Sequence, residues 1–274
     1  SLIPHRFNFL LSLPQSRTES ILVDVLALHG GTVEWGTELV GLCQTGESLE
    51  ASLNGPAGPV RCSFDHVFGA DGVHSAVREA IGIPFDGYTH KRLWSIADAE
   101  IAEWPYSPDA AQLFFHRTGD IGFIIPMAPG RFRAVSNTSD ALACIPGRYC
   151  VSRLLRADTF HISARQADRY QAGKVCLGGD AAHVHSPVGA RGMNLGIEDA
   201  AAFAARLLKD DLAGYTAERQ PVERRWIALS ERILSAAQVQ APAAIALRNL
   251  AVRATAHWPS LQRRLLQRFA GLRE

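Results

Sequence analysis

Apolar residues recur along this chain first at helical and then at strand spacing. Ile21, Leu22, Val25, Leu26 and Leu28 keep the period of an amphipathic helix. Ser16 with Glu19 three residues later reads as a capping box at its start, and Gly30-Gly31 as its stop. Short β-like runs follow at Thr32–Trp35, Glu38–Leu42 and Leu49–Leu53, parted by glycine-containing turns. Phe64–Phe68 is a further strand candidate. It runs into Gly69-Ala-Asp-Gly72 and a short helix to Ile81, closed by Gly82.

The texture changes near Phe85. Lys91–Ile101, Gln112–His116, Gly122–Met127 and Arg131–Ser136 read as strands. Arg117-Thr-Gly-Asp120 and Pro129-Gly130 supply hairpin turns between them, so this stretch is expected to be an antiparallel module. Phe160–Ser163 returns the chain from it. Lys174–Gly178 is again a short buried-strand candidate, followed by a Pro/Gly loop and a helix from about Met193. Beyond Gly214 the pattern is helical, with segments Arg224–Val239, Ala243–Ala254 and Ser260–Phe269.

Composition narrows the classes. Among 274 residues, 28 Lys and Arg nearly balance 27 Asp and Glu, so no global field draws nucleic acid. The basic residues of the C-terminal third therefore read as a solvated helix face. With 47% hydrophobic and 20% charged residues, a core of ordinary size is expected. Apolar runs such as Ile121–Met127 are too short and too broken to span a membrane. Five scattered cysteines show neither disulfide nor zinc spacing, which points to a reducing, cytoplasmic setting.

Two segments carry candidate chemistry. Gly69-Ala-Asp-Gly-Val-His-Ser-Ala-Val-Arg78 turns a strand directly into a helix at the edge where open α/β sheets bind nucleotides. Asp71 there is either a helix cap or a ligand carboxylate. The second segment runs from Gly178 to Asp199. Asp180 follows a buried strand, where it can accept from ribityl or ribose hydroxyls. Pro187, Gly189 and Gly192 let the backbone approach a flat ligand, and the helix from Met193 aims its N-terminal N–H groups at the same place.

These segments resemble the paired Asp-Gly and Gly-Asp motifs of the FAD-dependent aromatic hydroxylases, the para-hydroxybenzoate hydroxylase-like monooxygenases. Their order matches too: a helix after Leu13-Pro-Gln15, Gly-Ala-Asp-Gly, a β-rich module, Gly-Asp-Ala-Ala-His, then helices. The resemblance implies an FAD monooxygenase that takes electrons from NAD(P)H and an oxygen atom from O2 to hydroxylate an aromatic or apolar small molecule. It implies that Asp180 holds the ribityl region and that Pro187, Gly189, Gly192, Met193 and Asn194 line the flavin ring. Gln15 and Arg17 would contact the cofactor, and Asp71 and Arg78 belong to the motif tied to FAD and NAD(P)H.

The implied architecture is α/β: a partial three-layer FAD/NAD(P)-binding domain with an inserted antiparallel substrate module and a helical tail. The expected divisions are residues 1–86 and 164–212 for the FAD domain, 87–163 for the module and 213–274 for the tail. The family's opening Gly-x-Gly-x-x-Gly turn occurs nowhere, and the chain does not begin with Met. A truncated chain is therefore expected, with the central strand of the sheet gone and two strand edges exposed. A non-catalytic remnant that binds FAD weakly or not at all, associating as a homodimer, is the alternative.

Remaining candidates are weaker. His183 and His185 form a His-x-His pair, but no second cluster completes a metal shell, so none is expected. No Gly-x-Ser-x-Gly elbow marks a hydrolase. Trp94, Phe114, Phe115 and Phe123 either line an apolar pocket or fill a core, with Phe114 and Phe123 taken as the substrate contacts. No residue stands out as a general base.

Overall fold

The computed structural model describes Arg6, residues 11–46 and residues 48–269. The chain runs α1 (Gln15–Leu28), β1 (Glu38–Thr45), β2 (Ser48–Gly55), β3 (Gly58–Phe64), β4 (Val67–Gly69), α2 (Ala76–Ala80), β5 (Phe85–Ala102) and β6 (Gln112–Phe115). It continues with β7 (Ile121–Ala128), β8 (Arg131–Ser136), β9 (Cys150–Ala167), β10 (Gln171–Ala172), β11 (Val175–Leu177) and β12 (His183–Val184). Four helices follow: α3 (Gly192–Leu207), α4 (Tyr215–Ala237), α5 (Pro242–His257) and α6 (Pro259–Phe269).

Two compact units emerge. One holds Thr32–His90 and Ile162–Arg232; the other holds the chain up to Gly31, Lys91–His161 and the chain from Ile233. The crossings fall inside the long strands β5 and β9, each 18 residues, rather than in linkers. α1 and the last helices group with the β module, unlike the four-part division expected from the sequence.

In the first unit, β4 and β11 pair in parallel, Val67 opposite Val175 and Gly69 opposite Leu177, and β10 flanks β11. The strands bearing the two motifs are therefore direct neighbours. Among the described residues β4 and β10 are the edges of this sheet. β1, β2 and β3 form a separate antiparallel meander. Val77, Tyr170, Val175, Cys176, Leu177 and Tyr215 are buried together as the core of this unit. In the second unit β6, β7 and β8 pair antiparallel in sequence order, and β8 pairs with the later half of β5. Its core is Ala97, Ala99, Ile124, Phe132, Ala134 and Ile145.

Local chemistry explains where the sequence reading differs. α1 starts at Gln15 with Pro14 as its cap residue and no side-chain cap, so Ser16 lies inside the helix. Pro14 has no side-chain acceptor to cap the first turn, but its fixed φ sets the chain's entry and its carbonyl accepts from the Arg17 and Thr18 N–H groups. Thr32–Trp35 is coil and turn, not strand. β3 was unanticipated. It closes on β2 through Pro56 and Ala57, with Gly58 at φ 102°, and Phe64 ends it rather than starting the next strand. α4 begins at Tyr215 and runs through Pro221, which cannot supply the N–H that would bond one turn back.

Candidate functional site

The Gly-Ala-Asp-Gly turn is built around two interlocking caps. Ser75 caps α2 by accepting from the Arg78 N–H at 2.9 Å, and its hydroxyl donates to Asp71 Oδ1 at 2.5 Å. Asp71 Oδ2 accepts from the Val77 N–H at 3.0 Å. Of the two sequence readings, the capping role is thus filled, although the carboxylate remains exposed at its outer side. Gly69 is required by packing: a Cβ there would stand 2.7 Å from Val77 Cγ1.

Arg78 is buried. Its guanidinium donates to the carbonyls of Ala181 and Val73, each at 2.9 Å, and lies 4.1 Å over the Phe85 ring. Burial lowers its pKa, with Glu79 and Asp71 opposing. With its donors turned inward, Arg78 fastens the first motif to the second.

The second motif leaves β11 at Leu177 and enters a 3-10 turn, Gly179–Ala181. Gly178 N–H donates to the Gly69 carbonyl at 2.9 Å, which extends the parallel pairing into both turns. Gly179 has φ 56°, and α3 passes so close that a Cβ on Gly196 would be 3.3 Å from Gly179 Cα. This turn lifts Asp180 into solvent, where its carboxylate has no hydrogen-bond partner among the described residues.

Beyond β12 the loop Ser186–Arg191 leads to the start of α3. Gly189 has φ 98° and Ala190 φ 50°. The first helical bond of α3 is Leu195 N–H to the Arg191 carbonyl, so the N–H groups of Gly192, Met193 and Asn194 precede the ladder. No side chain caps them and the first turn holds no acidic residue. Met193 and Asn194 are exposed, while Pro187, Gly189 and Gly192 are half-buried. His185 Nδ1 is 2.8 Å from the Ser186 carbonyl, and its Nε2 is buried without a partner, 4.0 Å from where a Gly192 Cβ would sit. Burial lowers the His185 pKa. Arg191 pairs with Glu198 at 2.7 Å and stacks on Trp226, so it faces inward rather than to solvent.

Sequence reasoning missed a buried charged cluster behind the Asp180 turn. Asp199 Oδ2 accepts from the Gly179 N–H at 2.9 Å and from His183 Nε2 at 2.7 Å. Asp199 Oδ1 accepts from Arg219 Nε at 2.6 Å, and an Arg219 terminal nitrogen donates to Glu223 Oε1 at 3.0 Å. Glu223 Oε2 stands 3.3 Å from His183 Nδ1. Burial works against the Asp199 charge, but His183, the Gly179 N–H and Arg219 outweigh it and hold its pKa below the usual range. Burial, with Asp199 beside it, pushes Glu223 up to about 7 against the pull of His183. The ligand atoms of His183, Asp199 and Glu223 are close enough for a metal, yet Arg219 already supplies the positive charge among the acids. The missed signal was Tyr215, Arg219 and Glu223 at four-residue steps on one face of α4.

The remaining expected residues lie in the other unit. Gln15 and Arg17 are exposed in the first turns of α1, and Gln15 Nε2 donates to Glu19 at 2.8 Å. Phe114 pairs with Gly122, whereas Phe123 pairs with Leu113 and Val135. Neighbours along a strand point to opposite faces, so the two phenylalanines cannot line one pocket together. Phe114 packs on the core face, 5.2 Å from Tyr106; Phe123 shares the other face with Val135 and Ile96.

Parallel strands that end in adjacent glycine turns, with a bare helix start and an exposed acceptor beside them, define a nucleotide-cofactor-binding α/β domain. A family described as FAD binding domain matches residues 4–143 and 147–230, and the chain belongs to this family, that of the FAD-dependent aromatic hydroxylases. It is 31% identical over 271 residues to 6-methylpretetramide 4-monooxygenase of Streptomyces rimosus, covering 90% of this chain and 47% of that one. Pentachlorophenol 4-monooxygenase of Sphingobium chlorophenolicum is 29% identical over 252 residues, 82% of this chain and 47% of its own. The structure of OxyS anhydrotetracycline hydroxylase from Streptomyces rimosus superposes with a TM-score of 0.79 at 26% identity, covering 96% of this chain and 57% of that one. The chain thus spans about half the length of the curated relatives it matches.

Proposed function

We propose that this chain is the flavin-bearing part of an FAD-dependent monooxygenase that hydroxylates an aromatic small molecule, with NAD(P)H as reductant and O2 as oxygen source. The observation that carries the reading is the exposed, unpartnered Asp180 carboxylate beside the uncapped start of α3. The donor set fits the ribityl and ring portions of FAD. Asp180 would accept from ribityl hydroxyls. Pro187, Gly189, Gly192, Met193 and Asn194 would line the ring, with Gln15, Arg17 and Asp71 as further contacts, and Arg78 would hold the two turns in register. When bound, FAD supplies the redox and oxygen-transfer chemistry.

The protein's part is binding, orientation and electrostatics. The N–H groups and dipole of α3 favour negative charge on the ring edge they face. His185 Nε2 offers a buried acceptor next to Gly192. On the β module, Phe123 is the better candidate for a substrate contact, because Phe114 is spent on the core. The scattered spacing of the five cysteines supports a reducing compartment, and no helix among the described residues is long and apolar enough to cross a membrane.

The test is a visible spectrum of the purified chain with added FAD, followed by NADH and NADPH oxidation against a panel of phenols. A perturbed flavin spectrum and substrate-stimulated oxidation with matching hydroxylated product support the reading. A protein that leaves the FAD spectrum unchanged overturns it for this chain.

A further inference from the structure

We infer that His183, Asp199 and Glu223 are positioning residues for Asp180, and that one proton shared between His183 and Glu223 keeps the Gly179–Ala181 turn in its ligand-holding shape. This rests on the flavin reading of Asp180. The geometry leads to it directly. Asp199 holds the Gly179 N–H with the same oxygen, Oδ2, that accepts from His183 Nε2. His183 is therefore oriented with Nε2 protonated, which turns Nδ1 toward Glu223 Oε2 at 3.3 Å. Both of those atoms are buried and otherwise unpartnered. Two acceptors facing one another at this distance repel, whereas one proton between them makes a hydrogen bond.

The charges around the pair fix the sign. α3 contributes Asp199 and Glu198, α4 contributes Arg219, and the Tyr170 ring stacks on His183 with centroids 6.0 Å apart. Tyr170, Tyr215 and Cys176 stay neutral, since burial raises all three. His185, whose pKa is lowered, stays neutral as well. With Glu223 protonated, Asp199 balances Arg219 and Glu198 balances Arg191, 2.7 Å away, so the cluster is neutral. Loss of the proton leaves an extra buried carboxylate facing the His183 lone pair, and the strain passes through Asp199 to the Gly179 N–H. The flavin-holding turn is thus secure below neutral pH and loosened above it.

A glutamine at position 223 can donate permanently to His183 Nδ1 while its oxygen accepts from Arg219, so Glu223→Gln mimics the protonated state at every pH. Glu223→Ala removes it. The experiment titrates the full chain from pH 5.5 to 9, following the Gly179 amide and the Glu223 side-chain carboxyl carbon by NMR, and measures the FAD dissociation constant in parallel. The expected result is one common midpoint for both NMR signals and FAD binding weakened about tenfold across it, the scale of one charge-assisted hydrogen bond. Glu223→Gln should abolish the Gly179 titration and flatten the FAD profile, with Glu223→Ala weak throughout. A Gly179 amide that ignores the Glu223 midpoint, or a wild-type pH profile in Glu223→Gln, overturns the inference. FAD binding that is tight and pH-invariant also overturns it and leaves the flavin reading intact. A shared titration without FAD binding at any pH keeps the proton coupling and discards the flavin reading.

Discussion

The Arg78 guanidinium and the Ala181 carbonyl, 103 positions apart, meet at 2.9 Å and tie one motif turn to the other. The bond is buried, and the same guanidinium also satisfies Val73 and covers Phe85. Arg78→Met should leave two carbonyls without their donor and cost ~2–4 kcal/mol of stability. Denaturant unfolding measures this, and an unchanged midpoint would refute the fastening role.

Asp180 should behave in the opposite way. Its carboxylate is exposed and bonds to nothing else among the described residues, so Asp180→Ala should leave the unfolding midpoint within about 0.5 kcal/mol. FAD binding should weaken by roughly 10- to 100-fold, the worth of hydrogen bonds to a charged acceptor. Fluorescence titration with FAD separates the two effects.

Gly178 is held by packing and not by an unusual torsion, since its φ is −149°. An added Cβ would stand 2.3 Å from Phe68 Cζ and 3.0 Å from Asp199 Cβ. Gly178→Ala should destabilise by ~1–3 kcal/mol and displace α3 from the turn. Gly46→Ala at an open turn, where nothing lies within 4 Å of the new Cβ, provides a comparison whose cost comes from its φ of 61° alone.

Stability should respond to pH on two limbs. Asp199 has its pKa lowered in the fold, so its contribution is present above the ordinary carboxylate value of 3.8 and fades as pH falls through the folded one. Glu223 is raised from 4.5 to about 7, so its contribution is complete below 4.5 and fades as pH rises through 7. Melting temperatures between pH 4 and 8.5 should fall on the upper limb, and Glu223→Gln should flatten it. An upper limb identical in the variant would assign that decline to other groups.

Glycine and proline made the two motif turns legible, because each occupies a position that few other residues can take. Gly69, Gly179 and Gly189 stand where a close approach or a positive φ demands them. The hairpins of the β module were legible for the same reason, with Gly119 and Gly130 at their tips. Ser16 misled because a capping hydroxyl and an ordinary first-turn serine look alike, and Pro14 decided the matter. Phe114 and Phe123 were paired by chemistry although the pleat sends them to opposite faces. The His183–Asp199–Arg219–Glu223 cluster was illegible as a unit. Its members come from β12, α3 and α4, and only the folded core brings them within hydrogen-bonding distance.

The parallel register of β4 on β11 has a consequence for how such chains diversify. Gly69 and Gly178 are joined by a backbone hydrogen bond at the ends of their strands, and the stretch between leaves the sheet after Gly69 and returns to it at Val175, opposite Val67. Topologically that stretch is a cassette with clamped ends. The module strands β6, β7 and β8 within it can lengthen, shorten or be exchanged without altering the spacing between the two glycine turns.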